Sequence, residues 1–144
     1  MALCIMTDVQ DFKEAVRLAE EWVDDLTGRL QWHDRARAYA ALLATLHALR
    51  DCLARDETIY LGAHLPTLLR GLYYEGWHPS KRPPAPRRKA FLESIRDGVH
   101  RDLAVDAEQV ARAVLALIAA RLPAAEVEDA KAATPRELHN LWPS

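Results

Sequence analysis

The amino-acid sequence predicts an all-α fold, a bundle of about eight helices built from two pseudo-symmetric four-helix repeats that share one core. Three observations carry this expectation. Ala and Leu supply 46 of the 144 residues whereas Val, Ile and Thr supply only 18, so unbranched helix formers far outweigh the residues strands favour. Apolar residues recur at steps of three and four, the pattern of helices buried along one side. The chain also repeats at an offset of 69, where residues 36–73 lie over 105–142 without a gap. Ala38 then falls on Ala107, Leu46 on Leu115, Leu53 on Leu122, Pro66 on Pro135, Leu69 on Leu138 and Tyr73 over Trp142. The prolines weigh most, because their spacing from the leucines is kept. One domain spanning 1–144 is expected, with a first helical repeat at 7–76, a Pro-rich basic linker at 77–87 and a second repeat at 88–142.

Start and stop signals divide each repeat. The first helix opens at Thr7, which stands in capping-box spacing with Gln10. Its stripe of Val9, Phe12, Val16, Ala19, Val23, Leu26 and Leu30 faces one partner surface along the whole helix. Gly28 and the stretch Gln31–Asp34 end it. The second helix, from about Asp34 to Leu53, is apolar nearly all round, since only Thr45 and His47 are polar between Ala38 and Leu49; it belongs at the centre. Asp56 is placed to cap a short third helix through Leu65, and Pro66 opens a fourth that ends at Gly76. Pro79, Pro83, Pro84 and Pro86 then interrupt helix. In the second repeat Phe91, Ile95, Val99 and Leu103 form a stripe shorter than its counterpart. Asp106 and Gln109 cap the apolar helix 107–122, Pro123 opens a short helix, and Thr134-Pro135-Arg136-Glu137 reads as a capping box with Pro at the first helical position.

Composition excludes several function classes. A net charge of −2 argues against a uniformly basic nucleic-acid binder, and 28% charged residues with half the chain apolar argue against disorder. No apolar run reaches the roughly 18 residues of a membrane span, so no membrane role is expected. The opening MALCIM is too short and uncharged for a signal peptide, and two distant cysteines, Cys4 and Cys52, suit a cytoplasmic protein. No His-Glu-x-x-His, paired Glu-x-x-His, Gly-x-Ser-x-Gly or glycine-rich phosphate loop is present, so no catalytic residue, metal ligand or cofactor site is expected. Cys52 reads as packing or, with a histidine near, as a nucleophile. His47 reads as a buried imidazole bonded to a carbonyl or carboxylate, or as a functional group.

Two features stand above this background. Tyr73, Tyr74 and Trp77 cluster around Glu75 and Gly76, either sealing the end of the core or offering an aromatic platform to a partner. Lys81, Arg82, Arg87, Arg88 and Lys89 place five of the 19 basic residues within nine positions, while the rest of the chain carries 14 bases against 21 acids. Arg87, Arg88 and Lys89 also stand at a helix start, where the dipole disfavours cations unless an anion binds. The segment is either a solvated linker or a binding surface. These eight residues are the candidate binding site. The expected function is a non-enzymatic interaction or scaffold module that binds protein partners or itself. Its alternative is an anion or nucleic-acid binder acting through residues 81–89.

The strings LHALRDCL (46–53) and HLPTLLRGLYYEGWHPSKRP (64–83), with the closing TPRELHNLW (134–142), resemble a bacterial family known as domain of unknown function 2267. The resemblance implies an all-helical, duplicated, cytosolic bacterial protein and brings no activity or catalytic residue with it. Phe12 and Phe91 fit that family's usual phenylalanine in the first helix of each unit.

Overall fold

A computed structural model describes residues 9–79 and 87–144. Among the described residues there are seven α-helices, one 3-10 helix and no strand. The helices are α1 (Gln10–Leu30), α2 (Arg35–Cys52), α3 (Arg55–Ala63), α4 (Thr67–Tyr74), α5 (Arg88–Gly98), α6 (Ala107–Arg121) and α7 (Ala124–Ala133), closed by a 3-10 helix over Arg136–Leu141. None of them is long and apolar enough to cross a membrane.

The near-uniformly apolar α2 and α6 take the centre, because a helix without a polar face has to be covered on several sides. α2 packs against α1, α4, α5 and α6, and α6 against α1, α5, α7 and the 3-10 helix. Leu42, Leu46, Leu49, Leu53, Leu115, Ile118 and Leu122 are all buried within one continuous cluster. A close approach lies where Gly98 of α5 crosses Ala44 of α2: a Cβ on Gly98 would stand 3.1 Å from the Ala44 Cα and closer still to its methyl. Only glycine allows the two backbones to meet this closely.

Side chains fix both central helix starts. The Asp34 carboxylate accepts from the Arg37 N–H at 3.1 Å, and that of Asp106 accepts from the N–H groups of Glu108 (3.0 Å) and Gln109 (3.3 Å). Arg35 ties α2 to α1 through Glu20 and Asp24, while Arg121 reaches from α6 to Asp25 at 3.0 Å. Some local geometry recurs at the 69-residue offset. Pro66 and Pro135 precede their helices at φ −56°, ψ 150° and φ −54°, ψ 145°. Leu53 and Leu122 end theirs at φ −97°, ψ 151° and φ −100°, ψ 156°. α1 and α5 differ in length, 21 residues against 11.

Several boundaries depart from the sequence expectation. α1 starts at Gln10 with Val9 before it and no side-chain cap; Thr7 lies outside the described residues. α3 starts at Arg55, so Asp56 and Glu57 sit in its first turn, where they suit the dipole without capping. Thr134 makes no capping box. It ends α7, its hydroxyl donating to Lys131 O at 2.6 Å and accepting from Trp142 Nε1 at 3.3 Å. The final element is 3-10 rather than α. Leu103 is fully exposed, because α5 stops at Gly98 and the left-handed His100 and Arg101 (φ 57° and 54°) turn the chain before the stripe is complete.

Candidate functional site

The aromatic cluster is built by α2 holding the C-terminal end of α4. A helix leaves its last carbonyls without intrahelical partners. His47 Nε2 donates to Leu72 O at 2.8 Å, and Arg50 Nη1 donates to Tyr73 O at 3.0 Å and Glu75 O at 2.8 Å. The Arg50 side chain is 7% exposed, and its charge is met by Asp51 at 2.8 Å. Arg70 does the same for α3, donating to Gly62 O at 2.9 Å and Leu65 O at 3.0 Å. Thus His47 is a half-buried imidazole bonded to a carbonyl, and the arginines of LHALRDCL and LRGLYYEGW are helix clamps. Sequence reasoning passed over both arginines. The available signal was a charged residue interrupting an otherwise apolar helix face.

Tyr73 is fully enclosed, its hydroxyl donating to Thr58 O at 2.9 Å, and burial pushes that hydroxyl's pKa far up. It therefore seals the core and offers a partner no surface. Tyr74 packs edge-on to Tyr73 at 5.0 Å and tilted to Trp77 at 5.6 Å; both are half-buried. The Tyr74 hydroxyl donates to Ile59 O at 3.3 Å and fills the space beside Gly62, where any side chain would strike it. Cys52 donates its thiol to Leu49 O at 3.2 Å, and burial raises it to about 12, leaving it a protonated packing group rather than a nucleophile.

Of the basic segment, Lys81 and Arg82 lie outside the described residues. Arg87 and Lys89 are exposed at the α5 start and have no ion pair among the described residues. Arg88 has a folding role that sequence reasoning denied it. Its guanidinium pairs with Glu108 of α6 and donates to Asn140 Oδ1 at 2.6 Å, while its N–H donates to Glu137 Oε1 at 3.4 Å. It holds the Glu108 carboxyl below the usual carboxylate range. Glu137 thus caps α5 from a distant part of the chain instead of its own helix.

The largest departure concerns α1. Its C-terminal half is buried through Ala19, Trp22, Val23, Leu26 and Leu30, but its N-terminal half is not covered. Phe12 is 62% exposed and Val16 49%, with Tyr39 of α2 at 38% and Leu68 of α4 at 40%. Between them runs a trough of about 380 Å³ whose lining includes Val16, Ala19, Val23, Tyr39 and Leu68, bordered by Glu20 and Arg35. A second groove, about 480 Å³, lies between α3 and α7 and carries Glu57, Glu126 and Asp129 on its wall. There His64 Nδ1 donates to Tyr60 O at 3.0 Å while Nε2 faces Glu126 at 3.6 Å.

Residues 19–141 match the family model described as uncharacterized conserved protein, DUF2267. Phe91 and both helix clamps fall within the match, whereas Phe12 and Val16 precede it. No curated protein matches the sequence.

Proposed function

The chain belongs to the DUF2267 family, a family without a described activity, and from its geometry we propose that it is a non-enzymatic helical interaction module. Its docking face is the N-terminal half of α1 with Tyr39 and Leu68. One observation carries this reading. A stripe that is buried from Ala19 onward continues exposed through Val16 and Phe12, at the spacing by which helices pack against one another. Isolated exposed apolar residues are ordinary, whereas a contiguous patch beside an apolar trough marks an interaction site. The partner is a protein presenting an amphipathic helix. A bacterial cytoplasmic setting follows the family resemblance.

A second reading rests on Arg87 and Lys89, two exposed cations beside a Pro-rich segment: an anionic ligand or nucleic acid binding at 81–89. Partner recovery from cell extract separates the two. Phe12→Glu should abolish recovery while Arg87→Gln/Lys89→Gln leaves it intact, with Arg88 kept for folding. The opposite pattern, with salt-sensitive recovery, would favour the basic segment.

A further inference from the structure

We propose that the groove between α3 and α7 binds a linear aliphatic polyamine; this site stands apart from the α1 face and does not depend on it. The groove encloses about 480 Å³, within the range of small-ligand sites. Two turns of a helix about 10 Å across fill roughly 850 Å³, so a helical partner does not fit inside it. The floor is apolar, laid by the buried Leu53, Leu61 and Leu122. Tyr60 also lines the groove and stands 65% exposed.

The charge on the walls has one sign. Glu57 of α3 and Glu126 and Asp129 of α7 line the groove, whereas no lysine or arginine does. The bases on the flanking elements, Arg55, Arg121 and Lys131, lie outside the lining, and Arg121 is paired with Asp25 at 3.0 Å. The side chains of Glu57 and Asp129 make no hydrogen bond or ion pair among the described residues. Glu57 and Glu126 correspond at the 69-residue offset. Each follows by four residues a leucine, Leu53 or Leu122, at which the backbone turns in nearly the same way. The repeat thus sets like carboxylates on the two helices that bound the groove.

His64 adds an acceptor. Its Nδ1 donates to Tyr60 O at 3.0 Å, so the neutral ring turns a lone pair on Nε2 toward Glu126 Oε2 at 3.6 Å. Two acceptors then face each other, and one ammonium with three N–H donors satisfies both. A point cation is the poorer match, because among the described residues no three His, Cys, Asp or Glu side chains converge to hold a metal ion. Carboxylates spread over two helices above an apolar floor suit a cation whose charges are separated by methylenes. Such a chain lays its CH₂ segments on the leucines and its ammoniums against the carboxylates. Partly exposed ion pairs each add little, so the expected dissociation constant is roughly 0.1–1 mM.

Amide NMR titration of the full chain with spermidine, at mildly alkaline pH and low ionic strength, tests the site. Saturable shifts should concentrate on residues 57–64 and 126–133. Glu57→Gln and Glu126→Gln, with unchanged far-UV circular dichroism, should each weaken binding by about threefold or more. Glu128→Gln removes the same charge from α7 outside the groove and should bind like the wild type. Hexylamine, with a single ammonium, should bind about tenfold or more weakly than spermidine, and magnesium chloride should give no saturable shifts. Trilysine separates the two sources of such ammoniums: tighter binding than spermidine overturns the free polyamine in favour of a lysine-rich protein segment. Absence of saturable shifts up to about 10 mM spermidine overturns the site. So does an equal loss of affinity in Glu128→Gln, or magnesium binding as well as the polyamine.

Discussion

Replacing Arg50 with Met keeps much of its apolar stem and removes the guanidinium that holds the end of α4. Two hydrogen bonds from a charged donor are lost, to Tyr73 O at 3.0 Å and Glu75 O at 2.8 Å. Bonds of this kind contribute about 1.5–3 kcal/mol each, with most of the cost falling where the abandoned carbonyl stays dry. Tyr73 is fully enclosed whereas Glu75 is exposed, so the first carbonyl carries nearly the full loss and water replaces much of the second. Asp51 is 46% exposed and returns to solvent at little cost. Removing a buried charge recovers some desolvation energy. The expected net loss is about 2–4 kcal/mol. Urea unfolding followed by tryptophan fluorescence should show it as a lower midpoint. Amide exchange should quicken first over Leu72–Glu75. Arg50→Lys should fall between wild type and Arg50→Met, since the shorter side chain keeps the charge but loses the forked contact that Nε and Nη2 make with Asp51. A loss for Arg50→Met below about 0.5 kcal/mol, the size of an ordinary surface substitution, would refute the clamp.

Leu46→Ala should cost about 2–5 kcal/mol by chemical denaturation, because the side chain is wholly enclosed at the centre of α2. Gly98→Ala should cost about 1–3 kcal/mol despite alanine's better helix propensity, since its methyl meets Ala44 of α2, and Ala44→Gly should recover part of the loss. Alkaline stability should fall in a window set by Cys52. Its thiol, near 9 when unfolded, is pushed up to about 12 by burial, so the folded state holds the proton more tightly. That contribution is fully present below about pH 9 and is lost as the pH rises toward about 12, and Cys52→Ala should flatten this part of the unfolding curve. The raised Tyr73 hydroxyl acts in the same direction and leaves a residual slope.

What the sequence disclosed is whatever the chain settles locally. Helix existence followed from the three-and-four spacing, and the central place of α2 and α6 followed from their lack of a polar face. Asp106 caps where expected, and Asp34 caps the helix read as starting there, because an N-cap needs only its own next three residues. Thr134 and Asp56 had capping spacing too, but tertiary partners and the backbone path decided otherwise. Arg88 looked like local cost without gain, and its gain lies with Glu108, Asn140 and Glu137 far along the chain. The α1 stripe shows the same limit. Periodicity identifies an apolar face and says nothing about what covers it, so Phe12 and Val16 read as core although about half or more of each side chain stays exposed.

Photo-crosslinking in cells tests most directly which surface functions. A benzophenone amino acid is placed at position 12 or 68 on the apolar face, at position 89 beside the basic segment, or at the exposed but off-face position 103. Irradiation should yield discrete higher-mass adducts from positions 12 and 68, and none from 89 or 103. Adducts from position 89 with none from 12 or 68 would contradict the account and return function to the basic segment.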